Sequence, residues 1–281
     1  MRTVTSKDGT TIAFDQYGQG ATVILVTGAL GVRSPHPMSR QLAELISRNF
    51  TVIDYDRRGR GDSGNTLPYA VQREVEDIEA LIDVAGGSAF LYGLSSGGVL
   101  ALEAASKLPN KVKKLAMYEP PFIIDDSRPP VPKDYVAQLN AAIAAGRPGA
   151  AVEIFMTKAL LIPPEFVAQM RNAPMSQSFG DDAGMQPPEW ADMEKVAHTL
   201  PYDGMVMGDT MSGKPLPPKK WFSNRAPTLV ITGENSEAFF HEGARALVSE
   251  LPKVQHRILE GQDHAVSPEA LAPVLTEFFE S

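Results

Sequence analysis

A serine flanked by two glycines is the strongest chemical signal in this sequence. Gly93, Ser95 and Gly97 have the G-x-S-x-G spacing, in which a tight turn lifts a serine hydroxyl above a sheet. The apolar residues 89–92 before the motif predict a buried strand, and the alanine- and leucine-rich residues after it predict a helix. A hydroxyl presented at such a turn can attack a carbonyl carbon once a base removes its proton. The pattern therefore predicts Ser95 as a nucleophile.

The same turn has two other interpretations. Ser95 could cap the following helix, and the neighbouring Ser96 could be the cap or the nucleophile. Ser96 fits the nucleophile poorly because Leu94, and not a glycine, lies two residues before it. Its backbone N–H, however, directly follows Ser95 and can face the negative oxygen that forms during acyl transfer. We therefore expect Ser95 to contribute its hydroxyl and Ser96 its N–H.

A serine nucleophile needs a base within hydrogen-bonding distance, and His264 is the best candidate. It ends the segment 261–264, which directly follows the last predicted strand. The other histidines lie in a loop, in a proline-rich segment, on a predicted helix and before a predicted strand, where surface or packing roles are expected: His36, His198, His241 and His256. The sequence thus predicts His264 as the general base.

The base in turn needs a carboxylate that fixes its tautomer and stabilises the imidazolium ion. Glu119 is the first choice, because it ends the sixth predicted strand and the following Pro120 favours an extended backbone there. Its place between the serine and the histidine also gives the order nucleophile, acid, histidine. Glu234, directly after the seventh strand, is the runner-up, and Glu237 is third. Asp263 is disfavoured because neighbours in a loop rarely present their side chains to one another.

The elements that position these residues follow from apolar periodicity. Strands are predicted over residues 3–5, 10–15, 22–27, 50–55, 89–93, 112–118, 227–233 and 254–259. Helical apolar patterns follow most of these strands, over residues 38–46, 71–82, 96–108, 237–251 and 268–278. Repeated strand and helix alternation predicts a mostly parallel sheet with helices on both faces and function at the carboxyl ends of its strands.

The alternation stops between residues 122 and 220. Of the 23 prolines, 15 lie between Pro120 and Pro218, and short helices are predicted over residues 136–145, 151–161, 165–171 and 189–198. This segment is expected to be a helical lid that selects the substrate. Its methionines, including Met156, and its aromatic residues Phe155, Phe179 and Trp190 predict an adaptable apolar pocket. Alternatively, many of these side chains form the core of the lid itself.

Composition excludes several classes of protein. The chain has 281 residues, of which 43% are hydrophobic and 21% charged, as in a globular protein with a sizeable core. A formal charge of −8 argues against nucleic acid or an anionic membrane as a partner. The absence of cysteine excludes disulfides and thiolate sites. No signal peptide or membrane-spanning run is evident, and we expect a cytoplasmic protein.

Four segments together resemble the α/β-hydrolase superfamily. These are the serine turn, the Thr27-Gly28-Ala29 turn, the Arg-rich loop 56–64 with its D-x-R-G-x-G-x-S pattern, and the G-x-x-H loop 261–264. The resemblance implies an eight-stranded sheet formed by residues 1–121 and 221–281, with a cap inserted after the sixth strand as residues 122–220. It also places the oxyanion hole at the backbone N–H groups of Ala29 and Ser96. The arginines of loop 56–64 could bind an anion, but stabilisation of the loop is favoured.

The chain departs from the usual family pattern in two places. It has Thr27 where the family usually has histidine, and Ser236 where an aspartate commonly follows the seventh strand. Some members, among them haloalkane dehalogenases and a fungal zearalenone lactonase, place the acid after the sixth strand instead, as proposed here for Glu119. The residues expected to contact substrate are Thr27, Gly28, Leu30, Met156 and Trp190.

The resulting hypothesis is a hydrolase that cleaves a carboxylic ester or lactone through an acyl-enzyme on Ser95, without a metal or an organic cofactor. A serine nucleophile excludes the usual dehalogenase and epoxide hydrolase chemistry, which uses an aspartate. Carbon–carbon bond hydrolysis, perhydrolysis, hydroxynitrile cleavage and acyl transfer to other acceptors are possible on the same fold. A receptor that binds a small molecule without turnover is the alternative from another class.

Overall fold

The computed structural model describes residues 1–33, 37–172 and 189–281, and within them eight strands form one sheet. The strands are β1 (Arg2–Thr5), β2 (Thr11–Tyr17), β3 (Thr22–Val26), β4 (Thr51–Tyr55), β5 (Ala89–Leu94), β6 (Val112–Tyr118), β7 (Thr228–Gly233) and β8 (Val254–Leu259). Their order is β1-β2-β4-β3-β5-β6-β7-β8. Strand β2 pairs antiparallel with β1 and β4. Strands β3 to β8 all run parallel to one another.

Ten α-helices accompany these strands in the described ranges. They are α1 (Pro37–Ile46), α2 (Val71–Val84), α3 (Ser96–Lys107), α4 (Tyr135–Ala144), α5 (Pro148–Ile154), α6 (Pro164–Asn172), α7 (Trp190–Val196), α8 (Leu200–Met207), α9 (Ala238–Glu250) and α10 (Pro268–Glu280). A π-helical turn, Phe155–Ala159, continues α5. Among all helices that the structure describes, none combines the length and the apolar character needed to cross a bilayer.

The sheet separates two apolar layers. Alternate residues of β3 illustrate this, because Ile24 and Val26 pack into the layer that contains α2 and α3, whereas Val23 and Leu25 pack into the layer that contains α1 and α10. A central parallel strand must be apolar on both faces, as β3 is, since helices cover both. The structure confirms the predicted fold, a mostly parallel eight-stranded sheet between helices.

The segment between β6 and β7 is helical in its described part and contains helices α4 to α8. Four of them overlap the predicted helices, whereas α8 was not predicted from the sequence. Pro201 is compatible with the first turn of α8, whereas Gly204 weakens its helical signal. Packing against α3 and α4 therefore stabilises this helix. Phe179 and His36, two residues considered in the sequence analysis, lie outside the described residues.

One buried carboxyl group of the sheet affects stability. Asp54 in β4 is 0% exposed, and neither of its carboxyl oxygens has a hydrogen-bond partner among the described residues. Burial, aided by the neighbouring Asp56 carboxylate, raises the pKa of Asp54 to about 7. The carboxyl group therefore holds its proton in the folded protein over a pH range in which it would lose it in the unfolded chain.

We expect Asp54→Asn to change the pH dependence of stability. Because the pKa of Asp54 is raised on folding, its contribution to the free energy of unfolding falls as pH rises from about 4 to about 7, by up to about 4 kcal/mol. The variant should thus gain stability relative to the wild type across this window, as measured by urea unfolding at several pH values. The matched control, Asp126→Asn, alters an exposed aspartate and should show no such trend. A pH-independent difference for Asp54→Asn would contradict the expectation.

Candidate active site

Ser95 lies at a strained turn between β5 and α3. Its backbone angles are φ 55° and ψ −126°, in a region that residues with a side chain rarely adopt. A Cβ atom on Gly93 would lie 2.5 Å from the carbonyl oxygen of Gly97, and one on Gly97 would lie 2.3 Å from that of Val26. Both flanking positions therefore require glycine, which explains the G-x-S-x-G spacing in physical terms.

The two neighbouring serines have different environments. Ser96 is 4% exposed, and its hydroxyl donates a hydrogen bond to Asp203 Oδ1 at 2.8 Å. The Ser95 hydroxyl makes no hydrogen bond within the described part of the chain, and Ser95 lines both cavities that meet at this turn. Of the two hydroxyl groups, that of Ser95 is the one available to a ligand.

Glu119 occupies the end of β6, where its backbone N–H donates to the carbonyl oxygen of Ile231 in β7 at 2.9 Å. Its φ of 47° lies in the left-handed region, so the extended backbone expected before Pro120 was wrong, and the residue is 0% exposed. The carboxylate makes contacts through both oxygens. Oε1 accepts hydrogen bonds from the Gly233 N–H at 2.7 Å and from the Ser236 hydroxyl, and Oε2 lies 2.7 Å from His264 Nδ1.

The structure brings Glu119 and His264 together and separates His264 from the other candidate acids. The exposed Glu234 accepts a hydrogen bond from the Gly261 N–H at 2.9 Å, and Asp263 accepts one from the Ala265 N–H at 2.8 Å. Both carboxylates thus stabilise the turns around the histidine loop. Glu237, the third candidate, is exposed at the edge of one cavity. Ser236, which replaces the usual aspartate, donates to the acid that the sequence favours.

One residue contacts the imidazole of His264, and another holds the loop that carries it. Phe240 stacks on it with a centroid distance of 4.8 Å and an interplanar angle of 14°. The Tyr118 hydroxyl donates to the carbonyl oxygen of Asp263 at 2.5 Å, which anchors the loop. Because an ionised carboxylate only accepts hydrogen bonds, the proton on Nδ1 faces Glu119, and Nε2 is free to accept a proton. His264 lines the same two cavities as Ser95, and no hydrogen bond joins the two side chains in the described part of the chain.

The turn after β3 is oriented by two buried arginines. Arg60 Nη1 donates to the carbonyl oxygen of Gly28 at 2.6 Å, and Arg57 Nη1 donates to that of Thr27 at 3.2 Å. In a trans peptide the C=O and the following N–H point in opposite directions. The N–H of Ala29 is therefore turned away from Arg60, and Ala29 lines both cavities beside Ser95.

These arginines belong to an ion-pair network that links α8 to the sheet. Asp203 accepts hydrogen bonds from Arg57 Nη1 at 2.7 Å and from Arg60 Nη2 at 2.5 Å, and Glu74 binds Arg57 through both oxygens. Burial alone would raise the pKa of Asp203, but the two guanidinium groups outweigh it and lower that pKa. Arg58 pairs separately with Asp8 and Asp77. Carboxylates from other parts of the protein thus neutralise the three arginines of the loop.

Two cavities, of about 410 Å³ and about 180 Å³, meet at Ser95 and His264. The residues common to both walls are Ala29, Ser95, Phe155, Leu160 and His264. Four of the five residues predicted to contact substrate line the larger, mainly apolar cavity: Thr27, Gly28, Leu30 and Met156. The smaller cavity contains more polar side chains, among them Arg128, Tyr135 and Glu237. Ser95 and His264 therefore sit between a larger apolar cavity and a smaller one whose wall includes charged side chains.

Trp190, the fifth residue predicted to contact substrate, lies apart from the two cavities. It does not occur among the described residues that line the two cavities. Its indole N–H donates to Glu194 Oε1 at 3.0 Å, one turn further along α7, and its ring packs against the apolar cluster of the helical segment. Trp190 thus packs among the helices of this segment, and its contact with substrate stays a prediction.

Comparisons with known proteins agree with this architecture. The sequence profile of the Alpha/beta hydrolase family matches residues 23–274. The chain belongs to this family. This alpha/beta hydrolase is also similar to the crystal structure of an alpha/beta hydrolase from Sphaerobacter thermophilus DSM 20745, with 49% identity, a TM-score of 0.84, and coverage of 99% of this chain and 100% of that one.

Two other proteins match this chain at lower identity or over a shorter segment. An enol-lactonase from Burkholderia xenovorans LB400 shares the fold with a TM-score of 0.67 at 18% identity, covering 100% of both chains. The uncharacterized hydrolase YraK from Bacillus subtilis (strain 168) is 30% identical over 117 residues, which are 40% of this chain and 42% of that protein. This alpha/beta hydrolase thus spans about two fifths of the length of the curated relatives that it matches.

Sequence reasoning missed the contribution of α8 to this alpha/beta hydrolase. Asp203 is the one charged residue of that otherwise apolar helix, and it is 5% exposed. A single carboxylate within a mostly apolar segment requires a buried partner, and the sequence analysis assigned no partner to Arg57 or Arg60. That mismatch was the signal by which Asp203 could have been found. No comparable signal indicated Phe240 as the residue that stacks on the imidazole.

Proposed function

We propose that the protein is a serine hydrolase that cleaves a carboxylic ester or lactone of a small, largely apolar substrate through an acyl-enzyme on Ser95. The observation that carries this proposal is the 2.7 Å contact between Glu119 Oε2 and His264 Nδ1, at cavities that Ser95 also lines. A carboxylate, an imidazole and a free hydroxyl at one site are the parts that acyl transfer requires.

In the first half of the proposed reaction, His264 Nε2 takes the proton of the Ser95 hydroxyl while the oxygen attacks the carbonyl carbon of the substrate. Glu119 holds the Nδ1 proton and stabilises the resulting imidazolium. The backbone N–H groups of Ala29 and Ser96 donate to the carbonyl oxygen as it becomes negative. Each such donor stabilises the transition state by roughly 3 kcal/mol.

The remaining steps of the proposed reaction release first the alcohol and then the acyl group. The C–O bond to the alcohol breaks, and the imidazolium of His264 gives its proton to the leaving oxygen. A water molecule then loses a proton to the same imidazole and attacks the acyl carbon. When this intermediate collapses, Ser95 leaves and recovers its proton from His264, and the carboxylic acid product is released.

Helices α4 to α8 are proposed to act as a cap, residues 122–220, over the core formed by residues 1–121 and 221–281. The support for a selective role is that Phe155, Met156 and Leu160 from this segment line the larger cavity. Methionine and leucine side chains adapt to apolar ligands of different shape. The larger cavity therefore suits the apolar part of the substrate.

Covalent labelling tests the nucleophile directly. A fluorophosphonate should form a phosphorus–oxygen bond with Ser95 and release fluoride, and peptide mass mapping should find the adduct on that residue. Ser95→Ala should remain unlabelled, whereas Ser96→Ala, the matched control, should still be labelled at Ser95, although more slowly because it loses the hydrogen bond to Asp203. The wild type should also release nitrophenol from short 4-nitrophenyl esters. Saturable ester binding without labelling or nitrophenol release would instead identify a receptor and reject the proposal.

A further inference from the structure

The smaller cavity contains a buried positive charge that has no negative partner among the described residues. Arg128 is 7% exposed and lines this cavity together with Ser95 and His264. Within the described part of the chain its guanidinium makes one hydrogen bond, from Nη2 to the carbonyl oxygen of Ala159 at 2.8 Å, and its Nε has no partner. A guanidinium has five N–H donors, so most of the hydrogen-bonding capacity of Arg128 is unused.

Arg128 differs in this respect from the other buried arginines that the structure describes. Each of those is paired with at least one carboxylate: Arg33 with Asp15, Asp56 and Asp62, Arg57 with Glu74 and Asp203, Arg58 with Asp8 and Asp77, and Arg60 with Asp203. A buried charge is costly unless it is paired and hydrogen-bonded. Carboxylates thus offset this cost at the other four arginines, whereas no carboxylate of the described ranges does so for Arg128.

The surroundings hold the guanidinium in place without neutralising it. Its central carbon lies 4.2 Å from the centroid of the Phe239 ring, so an aromatic face covers one side. Burial lowers the pKa of Arg128, and the exposed Glu237 opposes this effect without forming an ion pair. Tyr135, which lines the same cavity, makes no hydrogen bond through its hydroxyl with the described residues. The cavity thus offers unused donors beside a fixed positive charge.

We propose that Arg128 binds a carboxylate of the substrate, so that the ester or lactone carries a carboxylate on the part that occupies the smaller cavity. This inference rests on the proposed function and specifies its substrate class. A single guanidinium near Glu237 suits a singly charged carboxylate better than a doubly charged phosphate. The cavity of about 180 Å³ accommodates a short group, whereas the apolar part occupies the space of about 410 Å³.

Matched substrates that differ only in a carboxylate or a carboxamide test this proposal. On the alcohol side these are 3-acetoxybenzoate and 3-acetoxybenzamide, and on the acyl side the mono-4-nitrophenyl ester of adipic acid and that of adipic monoamide. We expect the wild type to prefer the carboxylate in at least one pair by about 10-fold to 100-fold in kcat/KM, the size of effect expected for a hydrogen bond to a charged group. A ratio near one in both pairs would overturn the inference.

Variants separate substrate binding from a structural role of Arg128. Arg128→Gln should remove most of the carboxylate preference, and Arg128→Lys, which keeps the charge without the planar fork, should retain an intermediate preference. The control is Arg225→Gln, because Arg225 also lies over a phenylalanine ring, Phe222, but is exposed and outside the cavity. If Arg128→Gln lowers kcat/KM equally for the carboxylate and the carboxamide of each pair, the arginine is structural and the proposal is wrong. If Arg128→Gln does not fold, the test rests on the carboxylate-to-carboxamide ratio of kcat/KM, compared between Arg128→Lys and the wild type.

Binding to the Ser95→Ala variant distinguishes failure of this inference from failure of the hydrolase proposal. Calorimetry should show that adipate or benzoate binds more tightly than the matching amide, and that Arg128→Gln added to Ser95→Ala removes the difference. Ester turnover without any carboxylate preference would reject the role of Arg128 and leave the hydrolase intact. Carboxylate binding that depends on Arg128, in a protein without ester turnover, would support this site and reject the hydrolase.

Discussion

Glu119→Gln is expected to lower kcat for ester hydrolysis by about 10⁴-fold. The hydrogen bonds of the carboxylate explain why. Oε1 accepts from the Gly233 N–H and from the Ser236 hydroxyl, so the oxygen of a glutamine amide would be fixed there. The amide NH₂ would then face His264 Nδ1 and donate to it, which forces the imidazole proton onto Nε2. In that tautomer the imidazole cannot take the proton of the Ser95 hydroxyl.

The control for this variant is Glu234→Gln. Glu234 was the second candidate from the sequence, but its carboxylate is exposed and contacts the Gly261 N–H. We expect its kcat to stay within about threefold of the wild type, since surface substitutions away from the reacting groups change little. Steady-state kinetics on a 4-nitrophenyl ester, together with the melting temperature of each variant, provide the measurement. A near wild-type rate for Glu119→Gln would reject the assignment of the acid.

Asp203→Asn is expected to lower the free energy of unfolding by about 3–5 kcal/mol. Asp203 is 5% exposed and is the shared partner of Arg57 and Arg60, both of which are 1% exposed. Removing its charge leaves Arg60 without a carboxylate partner among the described residues, and burial together with Arg57 already lowers the pKa of Arg60. Urea unfolding measures the effect. Asp209→Asn, the control, changes an exposed aspartate just after α8 and should alter stability by about 0.5 kcal/mol or less.

The same substitution is expected to affect catalysis through the turn after β3. Arg60 connects Asp203 to the Gly28 carbonyl, and Asp203 also accepts the Ser96 hydroxyl, so both backbone N–H groups proposed for the oxyanion hole depend on it. A displacement of about 1 Å at such groups lowers kcat by as much as about 100-fold. We expect a fall in kcat that exceeds any change in KM. If Asp203→Asn has the same free energy of unfolding and the same kcat as Asp209→Asn, the ion-pair network contributes neither to stability nor to catalysis.

The sequence by itself determined the fold and the positions of the nucleophile turn and the histidine loop. These depend on local properties, because strand and helix periodicity are read over about ten residues. The glycines around Ser95 are likewise specified locally, since the turn brings backbone atoms within 2.5 Å of where their Cβ atoms would be. Helix α8 was the exception, because its stability comes from packing and not from its own propensity.

Only the tertiary structure decided which carboxylate contacts His264. Glu119 and His264 are 145 residues apart, and they meet because β6, β7 and β8 are adjacent in the sheet, a property of strand order that no local pattern encodes. The pairing of Asp203 with arginines more than 140 residues away and the packing of Trp190 away from the cavities have the same origin. That Arg128, unlike the other buried arginines, has no carboxylate partner in the described ranges also became evident only from the folded chain, because pairing is a property of the tertiary structure.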